Sequence, residues 1–180
     1  MSNTMKIIRT FFFGLVLGGG LLFQSAAPAF GQSEILRGGR YDLDRSASDS
    51  IDQAIQSVVA ELDPQTSSIL VWKLKNSNTA SEHVVLTFDS KEASVQFDSL
   101  PALKSPINGQ VVTWTSEILD DYDLITRLDR GVLVQIQTRD GEYITRTYTE
   151  DLKTLTIQVV VAHRKLPAGL TYRLVYNRAS

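Results

Sequence analysis

The sequence has 180 residues, a formal net charge of −2 and no cysteine. Without cysteine the chain cannot use disulfides or thiolate-bound metals, so it must be held together by an ordinary hydrophobic core. The basic residues form no cluster, and we therefore expect no nucleic-acid partner. Once an N-terminal leader is set aside, the remaining length is that of one ordinary domain.

The N-terminus has the three parts of an export signal. Lys6 and Arg9 form a short positive region, residues 11–23 form an apolar and glycine run, and residues 24–31 form a small-residue tail. The apolar run is shorter than the roughly 20 residues that cross a bilayer. A cleaved signal is therefore favoured over the alternative, an N-terminal membrane anchor.

Two positions satisfy the small-x-small rule for signal cleavage, after Ala29 and after Gly31, and we favour Gly31. The predicted organisation is a signal peptide at 1–31 followed by a single domain at 32–180. An exported chain without cysteine suits a bacterial cell envelope. We therefore expect a periplasmic or secreted protein with no stable membrane insertion after cleavage.

One helix is strongly predicted after a first strand at 35–43. Ser46 is expected to cap it, with Asp49 in its first turn, and Pro64 is expected to end it. Residues 66–76 fit either a strand or a short second helix, and we favour the helix. The apolar stripe that predicts the first helix has helical spacing: Ile51, Ala54, Ile55, Val58, Val59 and Leu62.

From residue 84 onwards, apolar and polar residues alternate with the period of two that is typical of strands. Short turns separate the apolar runs, as hairpins require. Closing such a meander hides its edges, so we predict a mainly β protein, an antiparallel up-and-down barrel with one or two capping helices. A two-sheet sandwich is the alternative. The predicted strands are 84–88, 93–97, 111–116, 122–128, 132–138, 142–149, 154–162 and 170–177.

Short stretches near both ends of the domain match the strands of a known family. They are Gly39-Arg40-Tyr41-Asp42-Leu43, the hairpin at 128–137, Ile144-Thr145-Arg146 and Val175-Tyr176-Asn177-Arg178. In these stretches the chain resembles the intracellular fatty-acid-binding proteins, a branch of the lipocalin-like (calycin) barrels. Residues 65–120 carry almost none of the resemblance.

The resemblance implies a barrel that holds an apolar ligand, with an inward arginine that helps to hold a carboxylate. Arg146 falls at that position and shares a strand face with Ile144 and Tyr148, opposite a row of threonines. A buried guanidinium needs a partner, so we predict that Arg146 holds a ligand. The alternatives are an internal Asp or Glu partner, or an arginine that faces outwards.

The last strand departs from the family pattern. The family has a second arginine two residues before its final tyrosine, which is Tyr176 here, and this chain has Leu174 at that position. Tyr172, Leu174 and Tyr176 share a face that reads as interior. We therefore predict a ligand site formed by Arg146, Tyr148, Tyr172, Leu174 and Tyr176. It should hold a small apolar, lipid-like or anionic ligand with modest affinity for simple fatty acids.

No catalytic or metal-binding motif rises above background. His83 and His163, without thiols, are too few for a zinc site. A haem ligand at a barrel rim is conceivable for His163, but a rim histidine is usually solvated. We expect no catalytic residues, no metal, no cofactor and no enzyme activity.

Two functional readings remain. The first is an extracytoplasmic binding or carrier protein for a small apolar ligand held in the barrel. The second is a non-enzymatic structural or protein-interaction module of the envelope, with a barrel core filled by its own side chains. In either case we expect a monomer.

The leader makes a prediction about the native protein. We expect it to begin near Phe30 or Gln32 and to occur in a soluble envelope or secreted fraction. Mass spectrometry of protein purified from its natural source measures this directly. A native chain that still contained Lys6 and residues 11–13 would show that the leader is not removed.

Overall fold

Ten antiparallel strands form a single sheet that curls into a nearly closed barrel. The computed structural model describes residues 36–166 and 168–179, so the predicted signal peptide at 1–31 lies outside the described residues. The mainly β barrel with helices that the sequence predicts is confirmed. Within these two ranges, no helix is both long enough and apolar enough to cross a membrane.

The elements follow the predicted order. The helices are α1 Ile51–Val59 and α2 Pro64–Ser77. Every strand except β4 was predicted from the sequence, and β4 was missed because four residues ending in proline give too short a pattern. The strands are β1 Gly39–Leu43, β2 His83–Phe88, β3 Glu92–Phe97, β4 Leu103–Pro106, β5 Asn108–Thr115, β6 Asp121–Asp129, β7 Val132–Arg139, β8 Glu142–Glu150, β9 Thr154–His163 and β10 Leu170–Arg178.

Neighbouring strands pair in the order β4-β3-β2-β1-β10-β9-β8-β7-β6-β5. The first and last strands pair with each other, and Leu43 lies opposite Tyr176. This pairing brings together the two ends of the domain. In the part of the chain that the structure describes, β4 and β5 form no ladder, so the gap of the barrel lies between them.

The start of α1 corrects the predicted cap. Ser50, not Ser46, is the N-cap, and its side chain accepts a hydrogen bond from the backbone N–H of Gln53 at 3.3 Å. Ser46 lies in the preceding turn, where its hydroxyl donates to Asp44 at 2.6 Å. Both serines can cap a helix, and the local turn around Asp44 decides between them.

The role predicted for Pro64 is also wrong. The first helix ends at Val59, and Pro64 is the first residue of α2. Proline suits that position because its missing N–H would have no partner there, and Asp63 caps the helix by accepting from Thr66 at 3.0 Å. The preference for a helix over a strand at 66–76 is confirmed.

The two helices pack at the end of the barrel where β8 begins. Lys73 of α2 forms an ion pair with Glu142, the first residue of β8, with 2.9 Å between Nζ and Oε2. We call this end of the barrel the helix end. The side chains that the helices bury are apolar: Ile55, Val59, Leu70 and Leu74.

A polar cluster occupies the opposite end of the barrel. Glu150 accepts backbone N–H groups of Arg37 at 2.7 Å and Gly38 at 3.3 Å, and it pairs with Arg178. Arg178 also donates to the hydroxyl of Tyr41 at 2.9 Å. Burial, followed by the charge of Glu150, raises the pKa of Tyr41 to about 12. This cluster ties the residues just before β1 to the ends of β8 and β10.

The helix stripe gives a prediction about stability. Ile55 is fully buried, so Ile55→Asp places an unpaired charge in the core and should destabilise the fold by about 3 kcal/mol or more. The control is Gln56→Asp, which adds the same charge at the neighbouring exposed position and should cost little. Denaturant unfolding of both variants measures the difference, and equal stabilities would mean that the stripe does not face a core.

Candidate functional site

A cavity of about 110 Å³ lies inside the barrel near the helix end. We call it the inner cavity. Its walls come from the link between α2 and β2, from the end of β3, and from the inward faces of β8, β9 and β10. The lining side chains that matter below are Asn78, Phe97, Arg146, Tyr172, Leu174 and Tyr176.

Four of the five predicted site residues line this one cavity. They are Arg146, Tyr172, Leu174 and Tyr176. The fifth, Tyr148, is fully buried but does not line the cavity. The strand faces explain the grouping, because alternate residues of β8 and β10 point into the barrel. Ligand binding by these residues remains a prediction.

Arg146 faces inwards and is half-buried. Its guanidinium donates a hydrogen bond to the side-chain oxygen of Gln137 and lies 5.5 Å from the centre of the Phe97 ring. None of the ion pairs found among the described residues involves Arg146. The contacts of Arg146 are therefore a neutral amide, that of Gln137, and the aromatic face of Phe97, and not the internal Asp or Glu that the sequence left open.

Tyr176 is fully buried, and its hydroxyl is the one buried side-chain polar atom in the described residues that has no hydrogen-bond partner. Burial raises the pKa of Tyr176 well above its ordinary value. The group therefore keeps its proton and stays a hydrogen-bond donor at neutral pH. A buried donor without an acceptor is costly, so an acceptor bound in this cavity would be stabilised by the Tyr176 hydroxyl.

Tyr172 is hydrogen-bonded, unlike Tyr176. Its hydroxyl donates to the side-chain oxygen of Asn78 at 3.1 Å, while the Asn78 amide donates to the carbonyl of Leu74 at 3.0 Å. Asn78 therefore connects the C-terminal end of α2 to the cavity wall. Burial raises the pKa of Tyr172, so this hydroxyl also stays protonated.

A chain of buried hydrogen bonds crosses the interior beside the inner cavity. Tyr148 donates to the side-chain oxygen of Gln135 at 2.9 Å. The Gln135 amide donates to the carbonyl of Leu103 at 3.1 Å and to Thr126 at 3.3 Å. Thr126 is in turn bonded to Ser105. We call Ser105, Thr126, Gln135 and Tyr148 the polar bridge, and it fixes β4 to β6, β7 and β8 from inside.

Sequence reasoning missed Gln135 and Gln137. On β7 these two glutamines are buried and face inwards, while Val134 and Ile136 are half-buried and face outwards. Hydrophobic alternation alone would assign the faces the other way round. The available signal was Leu133, which shares the face of both glutamines, together with the pairing of Gln135 with Arg146 across the ladder.

A larger groove of about 530 Å³ lies outside the barrel, between the start of α1 and the link after α2. We call it the outer groove. It shares Asn78, Thr79 and Leu174 with the inner cavity, so these three residues form the wall between the two spaces. Lys75 and Asp52 in its lining form an ion pair with 2.8 Å between Nζ and Oδ1, and Asp49 accepts the backbone N–H of Arg173 at 2.7 Å.

The histidines do not combine into a metal site. His83 lies 2.7 Å from Asp42 on the surface, and His163 accepts the backbone N–H of Lys165 at 3.1 Å. Burial, followed by the charge of Lys73, lowers the pKa of His163. Across residues 36–166 and 168–179, no group of three or more His, Asp or Glu side chains is arranged to hold a metal ion.

With this geometry in hand, the barrel can be compared with solved structures. Schistosoma mansoni fatty acid binding protein in complex with arachidonic acid is similar, with a TM-score of 0.53, 18% identity and coverage of 83% of this chain and 100% of that chain. Echinococcus granulosus fatty-acid-binding protein 1 has a TM-score of 0.52 and 10% identity, and the match covers 79% of this chain and 96% of that chain. Human cRBP IV has a TM-score of 0.52 and 16% identity, and the match covers 78% of this chain and 96% of that chain.

These comparisons define the class of fold. The chain has a fatty-acid-binding-protein-like, calycin-type barrel, as the short sequence motifs predicted. At identities this low the likeness concerns the fold and not the ligand. In sequence, no protein-family model and no curated protein matches the chain.

Two tyrosine variants test the reading of the inner cavity. Without ligand, Tyr176→Phe should leave the free energy of unfolding unchanged or raise it by up to about 1 kcal/mol, because it removes an unpaired buried hydroxyl. Tyr172→Phe should lower it by about 1–2 kcal/mol, because Asn78 loses its donor.

Denaturant unfolding of the two variants side by side provides the measurement. Each substitution removes one oxygen atom from the same strand face, so each serves as the control for the other. Equal losses of stability would show that the Tyr176 hydroxyl is already satisfied within the protein.

Proposed function

We propose that this protein is a non-enzymatic carrier that binds a small amphipathic anion in the inner cavity, outside the cytoplasm. The observation that carries the proposal is the pairing of two unsatisfied groups in one cavity. Arg146 is a cation without a carboxylate partner among the described residues, and Tyr176 is a buried donor without an acceptor.

A bound carboxylate would satisfy both groups at once. It carries two acceptor oxygens, which suit one guanidinium N–H and one tyrosine hydroxyl. The raised pKa of Tyr176 keeps that hydroxyl protonated, so it donates to an anion and does not repel it. The apolar part of the ligand would contact Phe97 and Leu174, which line the same cavity.

Two further observations support a carrier. The structural neighbours are named as fatty-acid-binding proteins and cRBP IV, which are binding proteins and not enzymes. The export signal predicted at 1–31 supports a place of action in the bacterial envelope or outside the cell. Leu174, at the position of the family's second arginine, supports weaker binding of the anion than a two-arginine site would give.

A filled interaction module is the second candidate, and the small size of the inner cavity favours it. Pockets that hold drug-sized ligands measure roughly 300–1,000 Å³, and the inner cavity measures about 110 Å³. In that reading, Arg146 and Gln137 are simply part of a polar core. The two candidates differ in whether Arg146 governs the binding of anions.

The test compares carboxylates with alcohols of equal chain length. NMR titration with butanoate, decanoate, 1-butanol and 1-decanol gives the four dissociation constants. Arg146→Leu should weaken carboxylate binding by a factor of about 30 or more and leave the alcohols nearly unchanged, since roughly 2–5 kcal/mol is lost when a buried charged contact is broken.

Arg127→Leu is the matched control, because it removes the same charge from the exposed face of β6. It should change none of the four constants by more than about twofold. If neither carboxylate depended on Arg146, and Arg146→Leu destabilised the protein equally with and without ligand, the carrier function would be wrong and the interaction module would stand.

A further inference from the structure

The proposed carrier function does not say how large the ligand can be. The volume of the inner cavity and the side chains around it limit that size. The inner cavity of about 110 Å³ is smaller than a cavity of roughly 150 Å³ that holds one benzene ring. The space therefore accommodates about six heavy atoms. A long alkyl chain would need further space inside the barrel or a route out of it.

The polar bridge fills the interior behind the lining of the cavity. Gln135 lies opposite Arg146 across the ladder of β7 and β8, and Tyr148 is two residues beyond Arg146 on β8. All four side chains of the bridge are buried, and each makes hydrogen bonds within the bridge. An alkyl chain entering here would have to separate these bonds and could replace none of them. A fully satisfied buried network is costly to break, so the bridge acts as a wall.

The gap of the barrel is held from inside as well. Gln135 binds the carbonyl of Leu103, and the indole N–H of Trp114 donates to the carbonyl of Ala102 at 2.9 Å. These bonds hold the start of β4, the strand that lacks a ladder to β5. The interior consequently does not widen at the gap without losing these bonds.

The route towards the outer groove is closed by Asn78, Thr79 and Leu174. Asn78 is held on both sides, by Tyr172 and by the carbonyl of Leu74 at the end of α2. Beyond it, the groove presents the paired charges of Asp52 and Lys75. An alkyl chain would gain little by leaving the cavity in this direction.

From this interior we infer that the barrel holds only short, compact anions in full and gains almost no affinity from the further carbons of long-chain fatty acids, because Gln135 and Tyr148 fill the space next to the cavity. The ligand class is a carboxylate of about four carbons, which has six heavy atoms with its two oxygens, held by Arg146 and Tyr176. The inference rests on the proposed carrier function. It differs from the long-chain fatty acid that the similarity to fatty-acid-binding proteins would suggest.

Binding constants along a series of straight-chain carboxylates, from acetate to dodecanoate, test the limit. Each methylene that enters an apolar site strengthens binding by roughly fourfold. In the unmodified protein, the affinity should stop rising near butanoate and change by less than about twofold per carbon beyond it. NMR titration covers the expected range of weak affinities.

The double variant Gln135→Ala with Tyr148→Phe removes both polar partners and opens space beside the cavity. Its affinity should keep rising for about two to three more carbons than that of the unmodified protein. Gln110→Ala makes the same glutamine change at an exposed position on β5 and should leave the series unaltered. If the double variant does not fold, the series on the unmodified protein decides the question.

Two results would overturn the inference, and they differ. If the affinity rose about fourfold per carbon through dodecanoate and depended on Arg146, the carrier function would stand and the size limit would be wrong. If no carboxylate of any length bound in an Arg146-dependent way, the carrier function itself would fall, and the size limit with it.

Discussion

The fold depends on the hydrogen bonds that hold β4 in place, because β4 has no ladder to β5 in the described part of the chain. The polar bridge provides them, because Gln135 and Thr126 reach from β7 and β6 to β4 across the place where the ladder is missing. Without these bonds, β4 would be held by its ladder to β3 and by the bond from Trp114 to the carbonyl of Ala102. The same bonds occupy volume that a carrier would otherwise use, so the closure of the barrel and the size of its cavity have one cause.

Arg146 keeps its charge in a wall whose described residues offer it only neutral contacts. One of its N–H groups is held by Gln137, and its face is covered by Phe97, so the side chain is fixed in position but not neutralised. A fixed cation in a partly buried wall favours any anion that reaches it. The unsatisfied hydroxyl of Tyr176 lines the same space, which gives that anion a second donor.

Much of the fold could be read from the sequence, because strands of period two and one amphipathic stripe leave few alternatives. The inward face of β8 and β10 could also be read, since the alternation around Arg146 and Tyr176 was regular. The faces of β7 could not, because Val134 and Ile136 point outwards while Gln135 and Gln137 point inwards. Capping at Ser50 instead of Ser46, and Pro64 as a helix start, depended on turns that pattern alone does not distinguish.

The central claim is that a small anion binds between Arg146 and Tyr176 and goes no further into the barrel. Selective ¹³C labelling of the tyrosine rings, with butanoate added, measures this most directly. The account predicts that the ring signals of Tyr176 and Tyr172 shift on binding, while those of Tyr41 and Tyr148 shift little. Shifts concentrated at Tyr41 and Tyr148, or at none of these four rings, would contradict it.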